Sequence, residues 1–397
     1  MTMRLAARVR GIKPSPTLGM AAEAAALKAE GRDIVDLSAG EPDFDTPEHV
    51  KAAAREALAR GQTKYTAVGG TNELKDAIRA KLRRDNGLTY ERTEVMASCG
   101  GKHALYNAFQ ALFEEGDEVV VPAPYWVSYT DMLMLAGATP RIVETTPESG
   151  FVMSAAQLEA ACGPRTVGLV LNSPSNPTGA VYSSEQLRAI GEVARRHGLI
   201  VFTDDIYEHI ADHAIENIGA LVPELRSHLV VVNAVSKTYA MTGWRIGYTA
   251  APTELIRAMT ALQSQSTSNP TSIAQAAAVA ALLGPQECVR DMAREFLARR
   301  DVVLERLHEI PNVRTMRPSG AFYVFPDVSA YFGRRGPDGP ISAASDLGTY
   351  LLRHASVASV PGEGFGAPRH IRLSYAADRA VLEEGITRIH EALGRLD

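Results

Sequence analysis

Lys237 stands in "VSKTYAMTGWRIG" (235–247), directly after the apolar run "LVVVNA" (229–234). A lysine in an exposed loop usually snorkels into water. Behind an apolar strand the ammonium form is disfavoured, and the neutral amine is the form that attacks carbonyls and makes Schiff bases. Arg245 follows eight residues later, at the head of a second apolar run, "RIGYTA" (245–250). Asp204 ends "LIVFTD" (199–204). Its plainer reading is a helix N-cap, because "DDIYEHI" has the look of a helix start. Only one of the two adjacent aspartates is needed for a cap, however, and a buried carboxylate at a strand end suits a cationic ring nitrogen. Tyr207, three residues on, shares a face with Asp204 if the turn is helical.

Other strand ends carry similar candidates. "NSPSNPTG" (172–179) is rich in turn formers, yet Asn172 and Asn176 each bring donors and an acceptor. "CGGKHAL" (99–105) opens a helical pattern. There Gly100 and Gly101 let backbone approach a phosphate, and a helix start favours the anion, with Lys102 adjacent. The chain has no GxGxxG or GxxxxGK[ST] pattern, which counts against a dinucleotide or P-loop nucleotide. Trp126 is one of two tryptophans and follows a strand end, where it can stack on a ring or simply fill the core. Arg372, in "HIRLS" (370–374), is either a solvated strand residue or a bidentate partner for a carboxylate.

These residues need a frame. Strand patterns at 94–98, 117–122, 139–144, 166–172, 199–204, 229–234 and 245–250 alternate with helical patterns. That alternation, with near-continuous apolar strands, predicts a mostly parallel α/β sheet covered by helices on both faces. Only ten residues separate Ala234 from Arg245, too few for a parallel crossover, so the last strand is expected to be antiparallel. Ligands of such sheets sit beyond the carboxyl ends of the strands, where the candidates lie. The C-terminal third reads as a smaller α+β unit: a helical stretch over 273–310, strands at 320–326, 356–361 and 370–374, and a last helix over 377–395. The loop 332–342 is expected to be exposed. The expected division is an N-terminal segment 1–45 joining the small domain, a large domain 46–285, and a small C-terminal domain 286–397.

Composition narrows the function classes. The 397 residues are 46% hydrophobic and 22% charged, with a net charge of −5. That balance carries no electrostatic footprint for nucleic acid or an anionic membrane. There is no apolar run long enough to span a bilayer, and the basic N-terminus lacks the apolar core of a secretory signal. Cys99, Cys162 and Cys288 have neither disulfide-framework nor zinc spacing, so no metal and a cytoplasmic location are expected.

Together these motifs resemble the class I aminotransferases, fold-type I enzymes that use pyridoxal 5'-phosphate. "VSKTYAMTGWRIG" is similar to their lysine signature. The likeness runs in order from "SAGEPDFDTPEHV" (38–50) through "NSPSNPTGAVY", "DDIYEH" and "PSGAFYVF" to "IRLSYA". "KPSPT" (13–17) and "YWVSY" (125–129) resemble the bacterial branch of aspartate and aspartate/prephenate aminotransferases. The resemblance implies a Schiff base on Lys237, with Asp204 at the ring nitrogen and Tyr207 and Asn176 at the phenolate oxygen. It places Trp126 and Ile206 on the ring faces. Gly100, Gly101, Lys102, Ser236 and Arg245 belong at the phosphate, with Tyr65 reaching it from the partner subunit of a homodimer. Arg372 would clamp the substrate carboxylate, helped by Asn176, Trp126 and the Gly40 backbone. An acidic substrate side chain needs a second cation; Lys102 and Lys13 are the candidates, with Ser15 and Thr17 as nearby donors.

The implied reaction is transamination between aspartate and 2-oxoglutarate, with prephenate as an additional candidate substrate. Three departures stand out: Ala234 where the family commonly has glycine or serine, Asp204-Asp205 for Asp-Glu, and Ser175-Asn176-Pro177 for Asn-Asn-Pro. Alternatives are an aminotransferase for aromatic or other neutral amino acids, a lyase or γ-synthase on the same fold, and a non-catalytic regulator's effector domain. The last is disfavoured because the likeness begins almost at residue 1.

Overall fold

The structure is a computed structural model and describes residues 3, 4, 6–12 and 16–397. Its strands, in chain order, are β1 (Val35–Asp36), β2 (Val95–Ser98), β3 (Glu118–Ala123), β4 (Thr139–Glu144), β5 (Thr166–Asn172), β6 (Ile200–Asp204), β7 (Leu229–Ala234) and β8 (Gly247–Ala250). The short C-terminal strands are β9 (Tyr323–Val324), β10 (Arg335–Gly336), β11 (Gly339–Pro340), β12 (Val357–Ala358), β13 (Val360–Pro361) and β14 (Ile371–Ser374). Seven strands make the main sheet, in the order β2-β8-β7-β6-β5-β3-β4. The pairs β3–β4, β3–β5, β5–β6 and β6–β7 are parallel. β8 runs antiparallel to both β2 and β7, as the short connection required. Its reversal places Gly247 opposite both Ser98 and Ala234, so three strand ends meet at one corner.

The helices form where sequence supplies both a stripe and a cap. The helix Ser184–Arg196 buries Leu187, Ile190, Val193 and Ala194 at helical spacing, and its N-cap Ser183 makes a reciprocal capping box with Gln186. The helix Asn72–Asn86 starts at Thr71 and ends at Gly87, which takes the left-handed conformation glycine allows. Separate apolar clusters line the two faces of the sheet, and a third holds the C-terminal strands and helices. β7 is buried along its whole length. β4, at the sheet edge, is largely exposed.

Three expectations change. The helical stretch over 273–310 is two helices, Ser272–Leu283 and Glu287–His308. Gly284 is extended at the break, because Pro285 disfavours helical backbone in the residue before it. The segment 356–361 is two strands in different sheets: β12 pairs with β1, and β13 with β14. The residues after Asp204 make two successive turns, closed by the Glu208 N–H donating to the Asp205 carbonyl and the Ile210 N–H to the Tyr207 carbonyl, and not a helix start. The loop 332–342 is mostly exposed and carries the β10–β11 hairpin. Among the described residues, no helix is long and apolar enough to cross a membrane.

Candidate active site

A cavity of about 200 Å³ opens beyond the carboxyl ends of β3, β5, β6 and β7. Lys237, Asp204, Ile206 and Tyr207 line it together with Lys102 and Trp126. Gly40, Asn176 and Arg372 complete the predicted set there. Residues as far apart as 40 and 372 are thus brought to one space by the sheet and the C-terminal strands.

Lys237 lies in the short helix Val235–Thr238, which follows β7 without a break. Its Nζ donates to the Gly40 carbonyl at 2.5 Å. Burial, reinforced by Arg372 and Arg245, pulls its amine down to about 8. Asp204 is buried, accepts a 2.6 Å hydrogen bond from the Tyr129 hydroxyl, and is pushed up to about 6 by desolvation. Asn172 holds the backbone here, donating to the Asp204 carbonyl at 2.7 Å and accepting from the Asn176 N–H at 2.8 Å.

Arg372 is almost fully buried on β14. Its two terminal nitrogens donate to Asn176 Oδ1 at 2.9 Å and to the Ser38 carbonyl at 2.8 Å. The Tyr323 ring lies 4.4 Å from the guanidinium carbon. Arg372 Nε is buried without a partner, an arrangement that costs free energy until an acceptor arrives. Tyr207 and Tyr323 share a hydroxyl–hydroxyl hydrogen bond of 2.9 Å. Lys102 Nζ sits 5.0 Å from the Trp126 ring centre, and burial lowers its amine.

Arg245 lies at the neighbouring corner, in a left-handed conformation, and donates to the Thr242 carbonyl at 2.9 Å. A Cβ on Gly100 would meet Arg245 Nη2 at 2.3 Å, and Gly100 itself has φ +90°. A Cβ on Gly247 would meet the Gly100 carbonyl carbon at 2.3 Å. Both glycines are therefore required for the approach of the arginine to the start of helix Gly101–Leu112, whose first N–H groups have no intrahelical acceptor. Ser236 is buried and lies outside the cavity wall, as does Tyr65, which is 91% exposed. Lys13 and Ser15 lie outside the described residues, as does the side chain of Thr17.

Sequence reasoning missed Tyr129 and Tyr323 as cavity residues. Tyr129 stood three residues after Trp126 at the start of a helix, a spacing that puts both on one side. Tyr323 carried no such signal. A buried polar cluster behind the site was missed too. Lys81 is ion-paired with Glu208, which also accepts from Asn86 and, at 2.6 Å, from Asn233. Asn233 Oδ1 accepts from the Ala234 N–H at 2.7 Å. The cluster therefore ties the turn after Asp204 to the end of β7.

The donor set fits pyridoxal phosphate. A buried carboxylate stands ready for a ring cation, a phenol and an amide for a phenolate, and an arginine beside a glycine-rich helix start for a phosphate. The unpartnered Arg372 Nε is suited to a carboxylate oxygen.

Residues 32–389 match the family described as aminotransferase class I and II. The chain is 48% identical over 395 residues to the aspartate aminotransferase of Geobacillus stearothermophilus, covering 98% of each. It is 48% identical to the aspartate/prephenate aminotransferase of Nitrosomonas europaea, covering 98% of this chain and 100% of that one. The fold is similar to that of the aspartate aminotransferase from Rhizobium meliloti, with TM-score 0.96, 46% identity and full coverage of both chains.

Proposed function

The chain belongs to the class I and II aminotransferases, which use pyridoxal phosphate, and we propose that it moves an amino group from L-aspartate to 2-oxoglutarate, with prephenate as a further substrate. One observation carries the substrate reading. A single cavity holds Lys237, the buried Arg372 with its unpartnered Nε, and a second cation, Lys102. Two cations suit a substrate with two carboxylates. The names of the relatives point the same way.

When bound, pyridoxal phosphate supplies a carbonyl carbon for the amino group and an electron-poor ring that delocalises the pair left at Cα. The chain's own residues do the rest. Asp204 would hold the positive charge of the ring nitrogen in place. Tyr207 and Asn176 would donate to the phenolate oxygen; the amide nitrogen of Asn176 is available because its oxygen already accepts from Arg372. Trp126 and Ile206 would hold the ring faces, and Gly100, Gly101, Ser236 and Arg245 the phosphate, which leaves Lys102 for the distal carboxylate of the substrate. Arg372 would fix the substrate α-carboxylate, aided by the Gly40 backbone. Lys237 Nζ would serve as the base that takes the proton from the substrate Cα. Lys13, Ser15 and Thr17 are assigned to the distal carboxylate by resemblance alone. The proposal includes a cytoplasmic homodimer in which Tyr65 crosses to the partner's phosphate site. It also includes the division into segment 1–45, large domain 46–285 and small domain 286–397.

A panel of amino donors tests the reading. With 2-oxoglutarate as acceptor, aspartate should exceed alanine and phenylalanine in kcat/KM by more than about tenfold. A preference for neutral donors refutes the dicarboxylate assignment, and turnover without any oxo acid refutes transamination.

A further inference from the structure

Tyr323 lies at the wall of the cavity but has none of the roles assigned so far. It sits on β9, held in register against β14: Tyr323 faces Ser374, and Val324 faces Leu373. β14 also carries Arg372. The two side chains meet, with the guanidinium carbon 4.4 Å from the centre of the Tyr323 ring. Phe322 packs on the same ring at 4.7 Å, and Tyr207 meets it nearly edge-on at 5.8 Å. The ring is fully buried, so its neighbours hold it in one orientation.

That orientation brings the Tyr323 hydroxyl to 2.9 Å from the hydroxyl of Tyr207. Among the described residues this is the hydrogen bond that each hydroxyl makes. One hydrogen lies between the two oxygens, so the accepting hydroxyl keeps a hydrogen to give elsewhere. Arg372 favours Tyr323 as the donor, because its charge opposes the burial that pushes the Tyr323 phenol up. Burial pushes the Tyr207 phenol well above its ordinary value, and Asp204 adds to this. The ionisable groups facing the pair are Arg372 on β14, Asp204 at the end of β6, Tyr129 from the helix Ser128–Leu135, and Lys237 beyond β7.

We propose that Tyr323 is a positioning residue for Tyr207: it donates to the Tyr207 oxygen and so aims the Tyr207 hydrogen at the phenolate oxygen of the cofactor. Tyr323 has this role only where Tyr207 meets the phenolate, as proposed above. Tyr323 exposes no surface, so it acts on the cofactor through Tyr207 and not by contact. A hydroxyl that accepts one hydrogen bond gives a stronger one, since linked bonds polarise each other. The phenolate is thereby stabilised, and the proton it shares with Lys237 Nζ leaves at lower pH.

Visible-absorbance titration of the holoenzyme against pH reads that proton, in folded variants that bind the cofactor. Tyr323→Phe keeps the ring on Arg372 and removes only the hydroxyl. It should raise the midpoint by about half a pH unit or more, and Tyr207→Phe at least as far. In a Tyr207→Phe background, Tyr323→Phe should move the midpoint by less than about 0.2 pH unit, because its path to the cofactor is already cut. Binding of succinate, a dicarboxylate probe, should stay within about threefold in Tyr323→Phe. An unmoved midpoint in Tyr323→Phe overturns the proposal, as does an equal shift in both backgrounds. A greater loss of succinate binding makes Tyr323 a substrate contact and overturns it too. If Tyr207→Phe itself leaves the midpoint unchanged, the assignment of Tyr207 to the phenolate fails, and the role of Tyr323 falls with it.

Discussion

At the residue scale, the two groups at the centre of the cavity are displaced from their ordinary ionisation in opposite directions, both by burial. Lys237 is brought down to about 8, so its neutral amine gains population as pH rises through 8 instead of near 10.5. Acetic anhydride labelling of the cofactor-free protein, read by peptide mass across pH 6–11, should show Lys237 reacting with a midpoint near 8. A midpoint near that of an ordinary lysine contradicts the burial account. Asp204 moves up, from 3.8 to about 6. Its proton is held more tightly in the folded protein, so its contribution to stability is fully present below pH 3.8 and is lost as pH rises through 6. At pH 7.5 the buried carboxylate is therefore a cost. Asp204→Asn should stabilise the cofactor-free protein by up to about 3 kcal/mol at pH 7.5, with no gain near pH 3.5, while abolishing turnover. Denaturant titrations at the two pH values check this. A variant that is less stable at pH 7.5 contradicts it.

At the element scale, the corner where β2, β7 and β8 end depends on close backbone approach. A Cβ at Gly247 would strike Gly100 backbone, whereas one at Gly101 would make ordinary contacts of 3.6 Å with Ala234 and 3.7 Å with Ile206. Gly247→Ala should thus cost more than about 3 kcal/mol in chemical denaturation, and Gly101→Ala less than about 1 kcal/mol. Equal costs would mean that the corner relaxes freely. Ala234 belongs to the same corner. Its methyl group would lie 3.6 Å from a Cβ on Gly101, so the residue that departs from the family pattern presents a methyl group, and no hydroxyl, to the helix start. The strands β5 and β7 were legible because their apolar runs are continuous, and both fall on the expected residues. The helix break at Gly284 was legible in principle, since the following proline announces it. The two-residue strands β12 and β13 were not, because their pairing to different partners is set by packing beyond the segment itself.

For the whole molecule, the open question is how Tyr65 can serve a site from which it is remote. It lines a separate surface cleft with Lys64 and Arg60. If it crosses to a partner's site, mixing Lys237→Ala and Tyr65→Ala chains under subunit exchange should recover activity absent from the Lys237→Ala enzyme and above that of Tyr65→Ala alone. The mixed dimer then holds one site with both residues intact. Lack of recovery, despite mixed dimers detected by native mass spectrometry, places Tyr65 in its own chain's chemistry. The amino-acid sequence by itself determined the sheet, the reversal of β8 and the identity of Lys237, Asp204, Tyr207, Asn176 and Arg372 as site candidates. Strand periodicity, loop length and motif order are local properties, and they survive without coordinates. Tertiary structure alone decided that Tyr129 donates to Asp204, that Tyr323 joins Tyr207 to Arg372, and that Lys81 and Glu208 brace the turn from behind. These are contacts between segments distant in sequence, and burial gives them their energy: an isolated Arg372 is an ordinary strand cation, but enclosed with one nitrogen unpartnered it is suited to a carboxylate.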